Sequence, residues 1–380
     1  MTSLIYLFWF SLAAIVAGYI LYPLFLWALL LTVRPKKTFQ NHFPSLSIIV
    51  ACHNEEQNID DRITNIFASN YPMEKIEILI ASDGSTDNTA AAVKKWQNWN
   101  VKVLDLTRRG RASTHNEAAK HATGEILVFT DAATVYDQNC LRYLAEPYAD
   151  ESVGAVSGVL IDHKLKHSSL GRSQGLYWRW EYFIRSAQSR LGVLSKTSGA
   201  NMSLRRKLFQ TIPPDVDIDQ VAGPNVIKQG QMVVHAPKAI AYEEFATDLK
   251  RQLASRQRFT IQSFTSIKYH LFLLNVFRQP ILSFHFIFYR LWRYLIPFFM
   301  ILALLSNLIL AAASWPFQVL LAIQVILYAL AIIGYLVERR GHRVPLISTI
   351  FSLSYLELGI FLGVIKCLFG KTYSSYSKSE

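Results

Sequence analysis

Short apolar runs alternate with segments of helical spacing between residues 46 and 131. The runs at 46–52, 78–81 and 126–129 are largely apolar, a pattern typical of strands buried on both faces of a parallel sheet. Between the first two, apolar residues in 59–67 recur every three or four positions, which predicts an amphipathic helix. The alternation predicts an α/β domain with a parallel sheet and helices on both faces.

Four further runs are long enough to cross a bilayer as helices. They are 4–33, 291–313, 316–337 and 345–369. No Lys or Arg precedes the first run, and the run is too long for a cleaved signal sequence. We therefore expect one N-terminal and three C-terminal transmembrane helices, with a soluble domain between them.

Positive residues at the ends of these runs predict the topology. They are Arg34, Lys36 and Lys37 after the first run, and Arg339, Arg340 and Arg343 between the last two. Because Lys and Arg concentrate in cytoplasmic loops, we expect a multi-pass protein of the cell membrane. Its middle domain would face the cytoplasm and both termini would lie outside. Residues 267–290 mix Phe, Leu and Arg, which favours a segment lying along the interface.

Composition agrees with a mixed architecture. Of the 380 residues, 51% are hydrophobic and 17% charged, with a net charge of +12. No compact Lys/Arg run with a nucleic-acid fold signature appears, so we attribute the charge to the cytoplasmic face and its anionic lipids rather than to nucleic acid. The three scattered cysteines, Cys52, Cys140 and Cys367, form no disulfide framework or metal spacing.

Two of the predicted strands end in an aspartate. Asp83 follows the run 78–81, and Asp131 follows the run 126–129. The carboxyl ends of parallel strands are where open α/β sheets bind ligands. Taken by itself, Asp83 has a second interpretation, as an N-terminal cap of the next helix. Two buried strands that each deliver one aspartate predict a single ligand site.

Six short motifs occur in an order that resembles membrane-integrated family 2 glycosyltransferases, which include cellulose, chitin, hyaluronan and poly-N-acetylglucosamine synthases. They are HNEE (53–56), SDGSTDNT (82–89), GRASTHN (110–116), FTDAAT (129–134), SGANMSLRR (198–206) and DID (217–219). The resemblance covers about residues 44–265 and implies a GT-A fold. Each motif is weak alone, and the six together are specific.

The resemblance implies a donor site for a nucleotide sugar. Asn54 and Glu55 match the loop after the first strand, Asp83 matches the aspartate beside base and ribose, and Arg111 stands where lysine is usual. Asp131 matches the first aspartate of the metal and diphosphate motif, whose second aspartate is replaced here by Ala133. Mg²⁺ or Mn²⁺ would therefore depend on phosphate oxygens and water as well as on Asp131.

An inverting transfer needs one general base for the acceptor hydroxyl, and the family supplies an aspartate. Counted back from Gly230, Asp219 matches that position, with Asp217 as the reserve. The other interpretation is an acidic loop that caps a helix.

The acceptor side departs from the family pattern. Processive members carry Gln-x-x-Arg-Trp, whereas this chain has Arg258 and Phe259 but neither the glutamine nor the tryptophan. The resemblance gives Arg258 a diphosphate role and Phe259 an acceptor-stacking role. The helix predicted over 173–189 is rich in aromatic residues, including Trp178, which either belong to the core or contact an acceptor at the membrane interface.

The expected protein is an inverting glycosyltransferase that moves a sugar from a nucleotide donor, UDP-linked by resemblance, to a polysaccharide or lipid-linked acceptor at the cytoplasmic membrane face. One alternative is a polyprenyl-phosphate sugar transferase. The other is a non-catalytic homologue that serves as a subunit of a polysaccharide assembly complex, and other assembly subunits are possible partners in each case. The expected division is 1–33 (transmembrane), 34–266 (cytosolic GT-A domain), 267–290 (interfacial), 291–369 (three transmembrane helices) and 370–380 (tail).

Overall fold

The computed structural model describes residues 1–33, 42–162, 170–244, 248–342 and 344–372. Its centre is one sheet of eight strands. The strands are β1 (Leu46–Cys52), β2 (Ile76–Asp83), β3 (Val101–Leu106), β4 (Ile126–Asp131), β5 (Val135–Tyr136), β6 (Val153–Asp162), β7 (Met202–Arg205) and β8 (Met232–Glu243). Their order across the sheet is β3-β2-β1-β4-β7-β6-β8-β5.

The first half of the sheet is parallel, as the sequence predicts. β1 pairs in parallel with β2 and with β4, and β2 pairs in parallel with β3. Every residue of β1 and β2 is buried, which explains why their sequences show no alternation of polar and apolar residues. The second half is mixed, because β7 runs antiparallel to both β4 and β6.

Helices cover both faces of the sheet and extend beyond it. In the domain they are α3 (Ile59–Phe67), α4 (Thr89–Lys94), α5 (Arg111–His121), α6 (Cys140–Ala145), α7 (Leu170–Arg190), α8 (Ile218–Lys228) and α9 (Leu249–Ser266). In the apolar regions they are α1 (Thr2–Val16), α2 (Tyr22–Leu30), α10 (Pro280–Phe286), α11 (Trp292–Ala311), α12 (Trp315–Arg339) and α13 (Pro345–Leu368).

Four helical segments in the described part of the chain are long and apolar enough to cross a membrane: Thr2–Leu30, Pro280–Ala311, Trp315–Arg339 and Pro345–Leu368. One is N-terminal and three are C-terminal, which confirms the predicted number and arrangement. Single π-turns join α1 to α2 and α10 to α11. Residues 280–290 of the predicted interfacial segment therefore continue directly into the second apolar helix, and the interfacial assignment remains a prediction. The positive cluster at 34–37 and Arg343 lie outside the described residues.

The apolar helices pack directly on the domain. α13 lies along α9, and Gly363 allows close approach because a Cβ at this position would sit 2.7 Å from Cβ of Thr260. The hydroxyl of Tyr355 on α13 donates a hydrogen bond to the carbonyl oxygen of Leu249 at 2.8 Å. The first helical segment is joined to α7 through Trp180, whose Nε1 donates to the carbonyl oxygen of Tyr19.

Candidate active site

The strand register brings the two predicted aspartates to one edge of the sheet. Ala51 of β1 pairs with Ala81 of β2 on one side and with Asp131 of β4 on the other. Asp83 follows Ala81 by two residues and ends β2. Since all three strands are parallel, both carboxylates lie at the carboxyl edge, where ligands bind in sheets of this kind.

Asp83 is fully buried and organises the loop that precedes α5. Its Oδ1 accepts a hydrogen bond from the backbone N–H of Arg109 at 2.7 Å, and its Oδ2 accepts from the N–H of Gly110 at 3.0 Å. Gly110 has φ +90°, a conformation that favours glycine. The alternative that Asp83 only caps the helix after β2 is wrong, because its carboxylate holds a different loop.

Asn54 and Glu55 join the loop after β1 to the loop after β2. Oδ1 of Asn54 accepts from the N–H of Thr86 at 2.8 Å, and the N–H of Glu55 donates to Oγ1 of Thr89 at 2.9 Å. Asn54 adopts φ +55°, a left-handed conformation that asparagine tolerates better than most residues. These two residues therefore shape the edge of the site through the loops.

Asp131 forms an ion pair with Arg111, the first residue of α5. Both side chains are largely but not fully buried. Burial raises the pKa of Asp131, and the Arg111 guanidinium opposes that rise. The pair places one cation and one carboxylate at the carboxyl end of β4, where the family resemblance implies diphosphate and metal binding.

The two candidate bases lie at the start of α8. Asp217 is the N-cap residue and Asp219 lies in the first turn of the helix. Gly199 lies beside Asp219 and Arg111, since a Cβ at this glycine would be 3.6 Å from Cβ of Asp219 and 3.7 Å from Nη2 of Arg111. The SGAN turn therefore brings the candidate base towards the Arg111–Asp131 pair.

Asp219 has the electrostatic environment of a general base. Burial raises its pKa to about 6, and the neighbouring Asp217 adds to the rise. Lys196, Arg111 and Arg290 act in the opposite direction. A carboxylate with a pKa of about 6 is mostly ionised at neutral pH and accepts a proton more readily than an ordinary aspartate.

Sequence reasoning missed several residues around this site. Glu243 ends β8 and is paired in register with Asp162 of β6. Burial raises the pKa of Glu243 to about 7, and the negative charge of Asp131 adds to the rise. The two carboxylates therefore interact electrostatically. Lys196 contributes a cation, whose pKa burial lowers to about 8. None of these positions carries a motif, so only the sheet register and the packing of loops locate them.

Arg258 and Phe259 lie on α9. The charge of Arg258 lowers the pKa of Glu243, and its guanidinium carbon lies 5.5 Å from the ring centroid of Phe259. The Phe259 side chain is 47% exposed. Trp178 lies on α7, but its side chain is outside the described residues. The acceptor roles of Phe259 and Trp178 remain predictions.

The described residues offer few ligands for a divalent cation. In the described residues no group of three or more His, Cys, Asp or Glu side chains is arranged to hold a metal ion. Asp131 can supply carboxylate oxygens, and Ala133 supplies none. This set fits an ion such as Mg²⁺ that is held by one carboxylate together with substrate phosphates and water, and it does not fit a closed structural metal site.

Comparisons with known sequences identify relatives of part of this chain. Residues 47–212 match the sequence model described as glycosyl transferase family 2. Poly-beta-1,6-N-acetyl-D-glucosamine synthase from Staphylococcus epidermidis is 32% identical over 182 residues, which cover 46% of this chain and 43% of the relative. The enzyme of the same name from Staphylococcus aureus (strain COL) is 33% identical over 160 residues, covering 40% and 38%. The chain thus spans less than half the length of these curated relatives.

A solved structure shares the architecture over nearly the whole chain. The mannosyltransferase PcManGT from Pyrobaculum calidifontis, solved in complex with GDP-Man and Mn²⁺, superimposes with a TM-score of 0.73. The match covers 96% of this chain and 99% of that one, at 23% sequence identity. At this identity the likeness establishes the fold.

Proposed function

From the match of residues 47–212 to glycosyl transferase family 2, we propose that the protein is an inverting, membrane-bound glycosyltransferase. It moves a sugar from a nucleotide-sugar donor, UDP-linked by resemblance, to a polysaccharide or lipid-linked acceptor at the cytoplasmic face. The observation that carries the proposal is the convergence of Asp219 and the Arg111–Asp131 pair beside Gly199 at the carboxyl edge of the sheet.

The donor binds along the loops at this edge. Asp83 fixes the backbone before α5, so that the N-terminus of this helix and the side chain of Arg111 face the site. A leaving nucleoside diphosphate gains negative charge in the transition state, and preorganised cations stabilise that charge. Arg111 supplies one cation, and Arg258 on α9 supplies a second.

A divalent cation, Mg²⁺ or Mn²⁺, belongs to the proposal as a cofactor held by Asp131. When bound, it would neutralise the diphosphate. Asp131 is already paired with Arg111, so the protein offers this ion few ligands of its own. Most of its coordination would come from donor phosphates and water.

Asp219 takes the proton. In the proposed step an acceptor hydroxyl oxygen attacks the anomeric carbon of the donor sugar, and the bond to the diphosphate oxygen breaks. The hydroxyl proton passes to the Asp219 carboxylate, and the nucleoside diphosphate leaves. Attack from the side opposite the leaving group inverts the anomeric centre. Asp217, the N-cap of α8, is the reserve candidate for the same role.

The membrane placement follows from the four apolar helices and the charged residues at their ends. We propose that both positive clusters face the cytoplasm and that both termini lie outside. A reporter fused after Glu380 then works only on the outer side of the membrane. A C-terminal reporter that works in the cytoplasm would contradict this topology and imply a missed span or a re-entrant last helix.

A lipid-linked acceptor has one specific observation in its favour. Aromatic side chains from the first two apolar segments and from α7, among them Tyr19, Trp180 and Phe288, pack together where the apolar helices meet the domain. Such amphipathic aromatic surfaces are typical of membrane interfaces. A polyprenyl-phosphate sugar transferase is therefore the second candidate function.

The test is a nucleotide-sugar screen with purified protein in detergent or nanodiscs. UDP-N-acetylglucosamine, UDP-glucose and GDP-mannose would be supplied with glycan or polyprenyl-phosphate acceptors, and product mass and anomeric configuration measured. We expect one donor to yield a product of inverted configuration and an equal amount of nucleoside diphosphate. Folded protein that binds nucleotide but neither hydrolyses nor transfers any donor would contradict the enzyme and favour the non-catalytic assembly subunit.

A further inference from the structure

Arg290 is a buried arginine in a largely apolar helical segment, and it donates hydrogen bonds to residues of the domain. It lies in the π-turn Ile287–Leu291 that joins α10 to α11, and it is only 6% exposed. Its Nη2 donates to Oε1 of Gln220 at 2.6 Å and to Oγ of Ser266 at 2.9 Å. A buried charge in a segment of this kind is costly and commonly has a functional role.

Gln220 connects Arg290 to the proposed base. It is 1% exposed and follows Asp219 on α8. Its Nε2 donates to Oδ2 of Asp219 at 2.8 Å, while its Oε1 accepts from Arg290 and from Oγ of Ser263, the latter at 2.7 Å. Because a guanidinium only donates hydrogen bonds, the amide oxygen must face Arg290. The amide nitrogen must then face Asp219.

We propose that Arg290 and Gln220 are positioning residues, through which the second apolar helix fixes the orientation of the Asp219 carboxylate. This inference rests on the proposed function, since it needs Asp219 to be the base. The hydrogen bond from Gln220 to Oδ2 fixes the rotation of the Asp219 carboxylate, and each carboxylate oxygen keeps a lone pair that can accept the acceptor proton.

The charges around Asp219 come from several elements. Asp217 on α8 raises its pKa, and Lys196, Arg111 and Arg290 lower it. Arg290 is the cation in this group that is connected to Asp219 through a single hydrogen-bonded side chain. Because Arg290 belongs to the apolar segment, the orientation of the Asp219 carboxylate depends on how the domain packs against that segment.

The reserve aspartate has a similar amide neighbour, which provides a matched control. Nε2 of Gln262 on α9 donates to Oδ2 of Asp217 at 3.2 Å, and Gln262 is 2% exposed. The same substitution, glutamine to glutamate, can therefore be made beside each of the two acidic residues. In both places it exchanges an amide donor for an acceptor without a change of size.

The primary experiment compares Gln220→Glu with Gln262→Glu in full-length protein. In Gln220→Glu the introduced carboxylate still accepts from Arg290 and Ser263, which preserves the contacts that support the fold, and Arg290 keeps that carboxylate ionised. It cannot donate to Asp219. We expect kcat to fall at least about tenfold, because small misplacements of a reacting group cost up to about 10²-fold. KM for the donor should stay within about threefold of the wild-type value. The acid limb of the pH profile, which is the fall in kcat at low pH, should move to higher pH.

Gln262→Glu should change kcat by less than about threefold and should move the acid limb less than Gln220→Glu does, because Gln262 donates to Asp217 and not to Asp219. If Gln262→Glu gives the larger loss, Asp217 is the base and the inference is overturned. Equal losses in the two variants would also overturn it, because they would indicate general disruption of the acidic region.

A second comparison separates positioning from stability. Arg290→Lys keeps the charge, but the lysine side chain ends one bond short of Nη2, the atom that donates to both Gln220 and Ser266. Arg293→Lys makes the same change three residues along, where the arginine pairs with Glu181 at 3.3 Å. Both variants should lower the melting temperature, and only Arg290→Lys should lower kcat and shift the acid limb. Normal kcat in Arg290→Lys would overturn the inference. If the wild-type protein itself transferred no sugar, the proposed function would be contradicted. Failure of the proposed function can therefore be told apart from failure of this inference.

Discussion

The Asp83 carboxylate and the backbone N–H of Gly110 are joined by a hydrogen bond of 3.0 Å, although the two residues belong to different loops of the site. A second bond of 2.7 Å, from the N–H of Arg109, fixes the same carboxylate. Asp83 thus sets the path of the chain into α5, whose first residue, Arg111, pairs with Asp131. The loop that delivers a cation to the site depends on one buried aspartate.

Asp83→Ala should therefore weaken nucleotide binding at least about tenfold. The substitution leaves two backbone N–H groups without an acceptor, at a cost of about 1–3 kcal/mol for each buried group. Asp83→Asn keeps one acceptor oxygen and should lie between Ala and wild type. Titration with UDP or GDP measures both. Asp60→Ala, which removes a surface contact with Lys95, is the control, and unchanged affinity in Asp83→Ala would contradict the loop's role.

The pH dependence of transfer follows from Asp219. Because its pKa is raised to about 6, the base is protonated below that pH and ionised above it. The rate should rise between pH 5 and 7 with an apparent pKa of about 6. Glu243, whose pKa is raised to about 7, is the competing source of this limb. In Glu243→Gln the rate should still rise with an apparent pKa near 6. Loss of that pH dependence would show that Glu243, and not Asp219, is the group that titrates.

The same pKa shift predicts an effect on stability. The folded protein binds the Asp219 proton more tightly than the unfolded chain does, so this group's contribution to stability declines as the pH rises from about 4 to 6. Asp219→Asn removes the ionisation and should raise the melting temperature at pH 7. A lower melting temperature would show that the ionised carboxylate makes net favourable contacts.

Metal dependence follows from Ala133. Chelator should abolish transfer, and Mg²⁺ or Mn²⁺ should restore it at a concentration higher than a site with two carboxylates needs. Ala133 is exposed, so Ala133→Asp can add a ligand without disturbing the core and should lower the required concentration. Ala133→Asn, of similar size but neutral, should lower it less. Activity that is insensitive to chelator would mean that Arg111 and Arg258 neutralise the diphosphate without a metal.

Product length follows from Phe259. Phenylalanine offers a smaller stacking face than tryptophan and lacks its N–H donor, so its hold on an acceptor sugar should be weaker. The isolated protein should add one or a few sugars, and long polymer should require a partner subunit. Phe259→Trp should lengthen the product and Phe259→Leu should shorten it. Long polymer made by the purified wild-type protein would contradict this prediction.

The sequence revealed those parts of the fold and site whose residues are close together in the chain. Asp83 and Asp131 each follow a buried apolar run, so the strand pattern alone places them at one edge of the sheet. The four apolar helices were equally readable, because a bilayer demands long uninterrupted runs. The antiparallel strand β7 was not predicted, since its four residues carry too little pattern to identify a strand.

Other residues were out of reach because only tertiary contacts define them. Glu243 approaches Asp131 because Val135, four residues after Asp131, pairs with Tyr242 of β8, a register that no local signal specifies. Arg290 contacts Gln220 across 70 residues of sequence. An arginine within a segment otherwise rich in Phe and Leu was a visible anomaly, but the chain gives no indication of its partner.

The most direct test of the account is the activity of Asp219→Asn beside Asp217→Asn, with nucleotide affinity measured on the same preparations. Loss of a general base costs roughly two to four orders of magnitude in rate. We predict a loss of that size in Asp219→Asn with nucleotide affinity within about threefold of wild type, and a much smaller loss in Asp217→Asn. Full transfer by Asp219→Asn would contradict the assignment of the base and, with it, the proposed arrangement of the site.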